Sequence, residues 1–341
     1  MKAIGYLKSL EIEHPDALLD IEQPVPEVNG RDLLVRIAAV SVNPVDTKVR
    51  VRVQPEGDVP KVLGWDAVGE VVAVGDQVQF YNKGDKVWYA GDLTRPGTNA
   101  EFHCVDERIV GHKPETLSDA QAAAFPLTAI TAWEMLFDRL GLVHTDTPEK
   151  TGEQQLLIIG AAGGVGSIMV QLAAQLTNAT VIGTASRPES QQWVCELGAD
   201  YVIDHRKPLS EELKRLGIES VSHVASLNAT DQHFDEIVTA LAPQGKLGLI
   251  DDPAVPLDIM QLKMKSISLH WEFMYTRSMF NTADIEQQRN LLNRMAELVD
   301  VGRIKTTLGE HFGLINASNL KKAHASIERG TSIGKVVLEG F

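Results

Sequence analysis

At 341 residues, with 44% hydrophobic and 23% charged content, the chain can bury a large core and is long enough for two globular units. Its net charge of -14 argues against general binding to nucleic acid or anionic membrane, since both depend on Lys and Arg neutralising phosphate. Two cysteines, Cys104 and Cys195, exclude a disulfide framework and a four-cysteine zinc site by counting.

No run of about 18 apolar residues occurs, and the opening Met1–Lys8 stretch is too short and interrupted for a signal peptide. A cytoplasmic protein without membrane contact is the expectation. From Met1 to about Val110, short alternating runs such as Leu33–Ile37 and Gly69–Val74, broken by turn residues, predict a mostly β domain. Ser118-Asp119-Ala120-Gln121 reads as a helix start, and Ile130, Trp133, Met135, Leu136 and Phe137 predict a helix over Thr128–Leu140. From Gln154 onward, strands at Leu156–Ile159, Thr180–Gly183, Tyr201–Ile203, Val221–Leu227 and Lys246–Ile250 alternate with helices at Ser167–Leu176, Glu189–Leu197 and Asp231–Leu241. Strands separated by helices imply a parallel, doubly wound sheet, because a parallel partner needs a crossover. Asp251-Asp252 reads as a solvated loop; beyond Lys265 come a long helix, Asp284–Val301, and a last strand, Lys335–Leu338.

The sharpest motif is Ile158-Ile159-Gly160-Ala161-Ala162-Gly163-Gly164-Val165-Gly166, which leaves a strand and enters a helix. A helix N-terminus offers backbone N–H groups and a positive dipole end to a pyrophosphate, and the glycines let backbone approach closely. An NAD enzyme usually holds the ribose 2′-OH with a carboxylate at the end of the next strand. That end here is Gly183-Thr184-Ala185-Ser186-Arg187-Pro188. Ser186 and Arg187 can donate to a 2′-phosphate, which points to NADPH; a plain exposed turn is the alternative.

The order of Ala39–Asp46, Gly64–Gly75, Gly84–Val87, Pro126–Ala132 and Ala161–Gly166 resembles the medium-chain dehydrogenase/reductase superfamily over nearly the whole chain. Within it the likeness is to zinc-free quinone oxidoreductases similar to zeta-crystallin, although zinc-type alcohol dehydrogenase-like is a superfamily name that also covers such chains. The resemblance implies an α/β protein: a GroES-like β domain over 1–125, a Rossmann NADP-binding domain with a doubly wound parallel sheet over 126–265, and a return to the catalytic domain over 266–341. Zinc alcohol dehydrogenases carry a Cys and a hydroxyl residue before the matching Asp, and a His-Glu pair after the matching Gly. This chain has Asn43, Val45 and Trp65-Asp66 there, and Asn, Val and Trp supply no zinc ligand.

By the same resemblance, Asn43, Asp46, Lys48 and Trp65 surround the reacting groups, Lys48 standing where relatives often bear Tyr. Ala162, Gly163, Gly164, Val165 and Gly166, with Thr128, Ser186, Arg187 and Asn228, bind the cofactor. Read alone, Asn43 could equally be a turn residue, Asp46 a helix cap and Trp65 a core aromatic. Trp271, Phe273 and Tyr275 are candidates for walling the cleft, with plain interdomain packing an equal alternative. The expected reaction is hydride transfer from NADPH to a quinone or α,β-unsaturated carbonyl compound, with no metal. The alternatives are a zinc-dependent alcohol dehydrogenase and a noncatalytic, crystallin-like NADPH binder. A homodimer joined at the strand Lys246–Ile250 is also expected, because it would cover an exposed sheet edge.

Overall fold

A computed structural model describes residues 1–341 and divides the chain into two units, Met1–Ile130 with Tyr275–Phe341, and Thr131–Met274. The first unit begins with β1 (Lys2–Tyr6), β2 (Leu19–Glu22), β3 (Asp32–Val42), α1 (Pro44–Arg52), β4 (Lys61–Val62) and β5 (Asp66–Val74). It continues with β6 (Lys86–Ala90), β7 (Phe102–Asp106), β8 (Val110–His112), α2 (Asp119–Ala123) and the start of α3 (Pro126–Trp133), whose residues from Thr131 on belong to the second unit. The Ser118 hydroxyl accepts from the Gln121 N–H, and the Gln121 side chain accepts from the Ser118 N–H, so the expected capping box starts α2.

The second unit contains β9 (Gln155–Ile159), α4 (Gly164–Leu176), β10 (Thr180–Thr184), α5 (Pro188–Glu196), β11 (Tyr201–Ile203) and α6 (Leu209–Arg215). β12 (Val221–Ser226), α7 (Thr230–Ala240), β13 (Leu241–Leu249) and β14 (Ser268–Trp271) complete it. The chain then returns to the first unit with α8 (Thr276–Met279), α9 (Glu286–Asp300), β15 (Leu308–His311), α10 (Ala317–Glu328) and β16 (Lys335–Glu339).

The fold is α/β: a GroES-like β unit and a Rossmann-like parallel sheet. In the first unit, β16, β3, β5, β6 and β8 lie in one seven-stranded sheet with β15 outside β16 and β7 paired to β3, while β2, β1 and β4 form a small second sheet. β3 carries this arrangement. Its inward residues Leu33, Val35 and Ile37 are buried, as are Ala39 and Val40, while Arg36 between them is exposed. In the second unit the order is β11-β10-β9-β12-β13-β14, every pair parallel, with Leu157, Ile159, Ile182, Val224, Leu247 and Leu249 in a shared core.

Two expectations change. The helix expected over Thr128–Leu140 is α only to Trp133; Glu134–Arg139 widens to a π-helix, in which the Leu140 N–H reaches the Met135 carbonyl at 2.9 Å. Apolar spacing is compatible with both forms. The strand expected to be the sheet edge, Lys246–Ile250, is instead flanked by β14, which pairs with it from Lys246↔Ser268 to Leu249↔Trp271. Ser268-Leu269-His270-Trp271 has one aliphatic residue and two exposed ends, so its sequence lacks a strand's apolar run. The second unit, Thr131–Met274, takes in β14 as well. No helix is long and apolar enough to cross a membrane.

At the end of β14, Glu272 enters the interior beside Glu134 of the π-helix, both side chains being fully buried. Arg139 Nε lies 2.9 Å from Glu272 and its terminal nitrogen 3.7 Å from Glu134, so one guanidinium serves two carboxyls. Burial, reinforced by the Glu134 carboxyl and opposed by Arg139, pushes Glu272 up to about 9. The folded protein therefore keeps a proton that the unfolded chain releases above its ordinary value of 4.5. Stability from this group is complete below that pH and is lost as pH rises through about 9. Denaturant titrations at a series of pH values should show wild-type stability falling over this window and a flatter profile for Glu272→Gln; parallel profiles would contradict the shared-proton arrangement.

Candidate active site

In the second unit, β9 ends in a turn whose shape depends on glycine at two positions. Gly160 has φ +83, and a Cβ there would lie 2.5 Å from Asn228 Oδ1. At Gly166 a Cβ would lie 2.3 Å from the Gly160 carbonyl and 2.6 Å from Ala161 Cα, so only glycine lets α4 pack against the turn. Gly163 differs. Its backbone is extended, and a Cβ would meet nothing nearer than the Gly160 carbonyl at 3.4 Å. The space over the start of α4 is therefore open, no side chain caps that N-terminus, and Ala162, Gly163, Gly164 and Val165 are half-buried around it. A dinucleotide pyrophosphate fits this cradle, with free space and N-terminal N–H groups together.

The Gly160 N–H donates to Thr184 Oγ1 at 3.1 Å, tying the turn to the end of β10. There Ser186 is half-buried and Arg187 exposed, the Arg187 N–H donating to Ser190 Oγ at the start of α5. Just after the neighbouring strand β11, the Asp204 carboxylate is gripped by Arg206 at 3.0 and 2.6 Å and held below the usual carboxylate range. Asp204 thus already has its partner. Asn228 stands exposed beside Gly160. Thr128 belongs to the first unit, buried, with its hydroxyl donating to the Phe125 carbonyl at 2.9 Å. Asp251, expected in a solvated loop, instead accepts from the Thr230 N–H and hydroxyl at 2.9 and 2.6 Å and so fastens the start of α7.

A second constellation lies wholly within the first unit, around Asp66 at the head of β5. This carboxylate is fully buried. Its Oδ1 accepts from the Leu127 N–H in the first turn of α3 at 2.7 Å. Its Oδ2 accepts from Ser41 Oγ and Asn43 Nδ2, each at 2.7 Å, and from Lys335 Nζ at 3.1 Å. Lys335, only 4% exposed, opens β16 and also donates to Asn43 Oδ1. Pro44 and Asp46 suit the first turn of α1, and the Asn43 N–H donates to Asp46 Oδ2 at 2.5 Å. The Asn43 side chain turns away from the helix into the cluster.

Asp46 thus caps α1, as the plainer reading had it, but its Oδ1 is buried without a partner. Burial pushes its carboxyl up to about 7 against the opposing Asn43 N–H and Lys335 ammonium, with Asp66 adding to the rise. Trp65 is a fully buried aromatic whose Nε1 donates to the Asp92 carbonyl at 3.1 Å. Its ring meets Tyr275 edge-on, centroids 6.4 Å apart. Burial, with Asp46, Asp66 and Asp92 nearby, holds the Tyr275 phenol well above its usual value. Lys48 is half-buried further along α1, and Trp271 and Phe273 are exposed in the second unit. No three His, Cys, Asp or Glu side chains are arranged to hold a metal ion, and the amide at 43 and indole at 65 are no zinc donors.

Residues 29–117 match the alcohol dehydrogenase GroES-like domain, and residues 197–338 match the zinc-binding dehydrogenase domain. A zinc-type alcohol dehydrogenase-like protein of Staphylococcus epidermidis is 36% identical over 338 residues, 99% of each chain. The chain belongs to the medium-chain dehydrogenase/reductase superfamily. Among solved structures, this oxidoreductase is similar to a protein of Rhizobium etli CFN 42 assigned by name to the zinc-dependent alcohol dehydrogenases, with TM-score 0.95, 55% identity and coverage of 100% of this chain and 98% of the other. It is also similar to the quinone oxidoreductase of Coxiella burnetii, with TM-score 0.80, 26% identity and coverage of 100% and 99%.

Sequence reading picked out Asn43, Asp46 and Trp65 in this dehydrogenase/reductase, and the structure brings the first two to one cluster. It missed Ser41, Asp66 and Lys335. The available signal was a lone Lys heading an otherwise apolar strand, Lys335-Val336-Val337-Leu338. The two glycines of the turn should separate fold from binding. Gly163→Val is expected to keep the cofactor-free melting temperature while weakening dinucleotide binding at least about tenfold, ~1.4 kcal/mol. Gly166→Val should lower the melting temperature itself. Calorimetry and thermal melts on both variants decide this; intact dinucleotide affinity in Gly163→Val would remove the pyrophosphate from this turn.

Proposed function

We propose that this oxidoreductase transfers hydride from NADPH to a quinone or an α,β-unsaturated carbonyl compound without catalytic zinc. The observation that carries the reading is the Asp66 cluster. At the positions matching zinc ligands stand an amide locked to Asp66 and Lys335 and an indole bonded to a backbone carbonyl. Such a site can donate hydrogen bonds to an oxygen but cannot act as a Lewis acid. Quinones and enones suit it, because they delocalise developing charge onto oxygen without a metal; simple ketones do not.

When bound, NADPH supplies the hydride. The cradle at Ala162–Gly166 holds the pyrophosphate, and Ser186 and Arg187 hold the 2′-phosphate. Asn43 presents the N–H of its amide that Asp66 does not take to the substrate oxygen. Asp46 holds a proton close to neutral pH.

The testing experiment follows NADPH oxidation with a panel of quinones, enones, ketones and aldehydes, before and after exhaustive chelation. Turnover with quinones or enones, unchanged by chelation, is expected. A stoichiometric zinc whose removal abolishes turnover, or no oxidation with any acceptor, would overturn the reading. Cofactor choice is tested separately: Arg187→Ala should weaken NADPH about tenfold to a hundredfold, the scale of a lost charged hydrogen bond, and leave NADH nearly unchanged. Equal losses for both cofactors would count against a 2′-phosphate contact.

A further inference from the structure

We propose that Lys335 is the positioning residue of the reacting site: its ammonium locks the Asn43 amide in the one orientation that leaves an N–H for substrate oxygen. The inference rests on the function proposed above. Lys335 reaches the cluster because β16 pairs antiparallel with β3 through Val336↔Val42. Its neighbours Val336, Val337 and Leu338 are fully buried apolar residues, so packing this strand does not call for a cation. Burying an ammonium costs several kcal/mol before compensation. Here its acceptors are Asn43 Oδ1, Asp66 Oδ2 at 3.1 Å and the Val42 carbonyl at 3.4 Å, which match its three N–H bonds.

The two ends of the Asn43 amide face groups that are not interchangeable. An ammonium only donates, so it requires the amide oxygen; the Asp66 carboxylate only accepts, so it requires the amide nitrogen. The amide cannot flip while both are present. One Nδ2–H goes to Asp66, and the second is the donor that the side chain retains. Remove the ammonium and the amide is held from one end, beside a buried carboxylate lacking its cation.

The first readout needs no activity: the side-chain NH2 signals of Asn43 in ¹⁵N-labelled protein, identified by their loss in Asn43→Ala. Lys335→Met should shift this pair and speed its exchange with water; an unchanged pair would overturn the proposal. The second readout is a double-mutant cycle on kcat, using an acceptor the wild type reduces. Lys335→Met should lower kcat by about a hundredfold, the scale of losing an aligned donor at a developing oxyanion, with NADPH affinity within about twofold. Adding Lys335→Met to Asn43→Ala should cost nothing more, because both act on one group. Multiplying losses would show that Lys335 acts independently of Asn43. Should Lys335→Met fail to fold, Lys335→Gln keeps a polar side chain there but no longer requires the amide oxygen of Asn43, and the same NH2 signals and cycle apply. A wild type that reduces no quinone or enone sinks the proposed function, while the NH2 signals still decide the role of Lys335.

Discussion

A carboxylate fully removed from water must be met by donors, and Asp66 organises the first unit around that requirement. An unpaired buried charge costs several kcal/mol, a large share of the stability of an ordinary domain. Asp66 is instead met by a hydroxyl and an amide from the end of β3, a backbone N–H from the start of α3 and an ammonium from β16. Segments distant in the chain are thereby fixed to one point. The same bonds that satisfy the charge also orient Asn43, so holding the fold and shaping the site are one arrangement. A buried ion pair of this kind is weak evidence for added stability, but it specifies geometry.

The second unit obeys a different constraint, the close approach of backbone to backbone. At Gly166 there is no room for a methyl group, and at Gly160 the chain turns through a conformation that side chains resist. Those two glycines serve packing and turning, whereas Gly163 sits over open space. The motif therefore combines two positions where only glycine fits with one where a side chain would meet no close neighbour. Ser186 and Arg187 come into play because β10 lies beside β9 and is bonded to the turn through Thr184.

The parallel sheet was legible because each of its inner strands is a short apolar run followed by an amphipathic helix, and the glycine turn because its spacing is tied to its geometry. Asn43 and Asp46 were legible from the motif around them. The rest of the cluster was not. Positions 41, 66, 127 and 335 share no periodicity, and what unites them is one buried charge that only the tertiary fold reveals. β14 escaped notice because an outer strand with exposed ends needs no alternating pattern, and the π-helix because apolar spacing does not distinguish it from α. Asp251 reads as a loop residue because its partner Thr230, at the start of α7, lies 21 residues earlier in the chain.

The placement of β16 also bears on the order in which the molecule is completed during synthesis. Residues 131–274 are contiguous, so the second unit can close its sheet as soon as β14 has emerged. The first unit cannot. Until residues 335–339 are made, β3 presents an open backbone edge along Ala39–Val42, and Asp66 awaits its cation. Open edges of this sort recruit strands from other chains. A chain cut before Lys335 should therefore keep the parallel sheet of its second unit while its first unit associates with other chains through the open edge of β3.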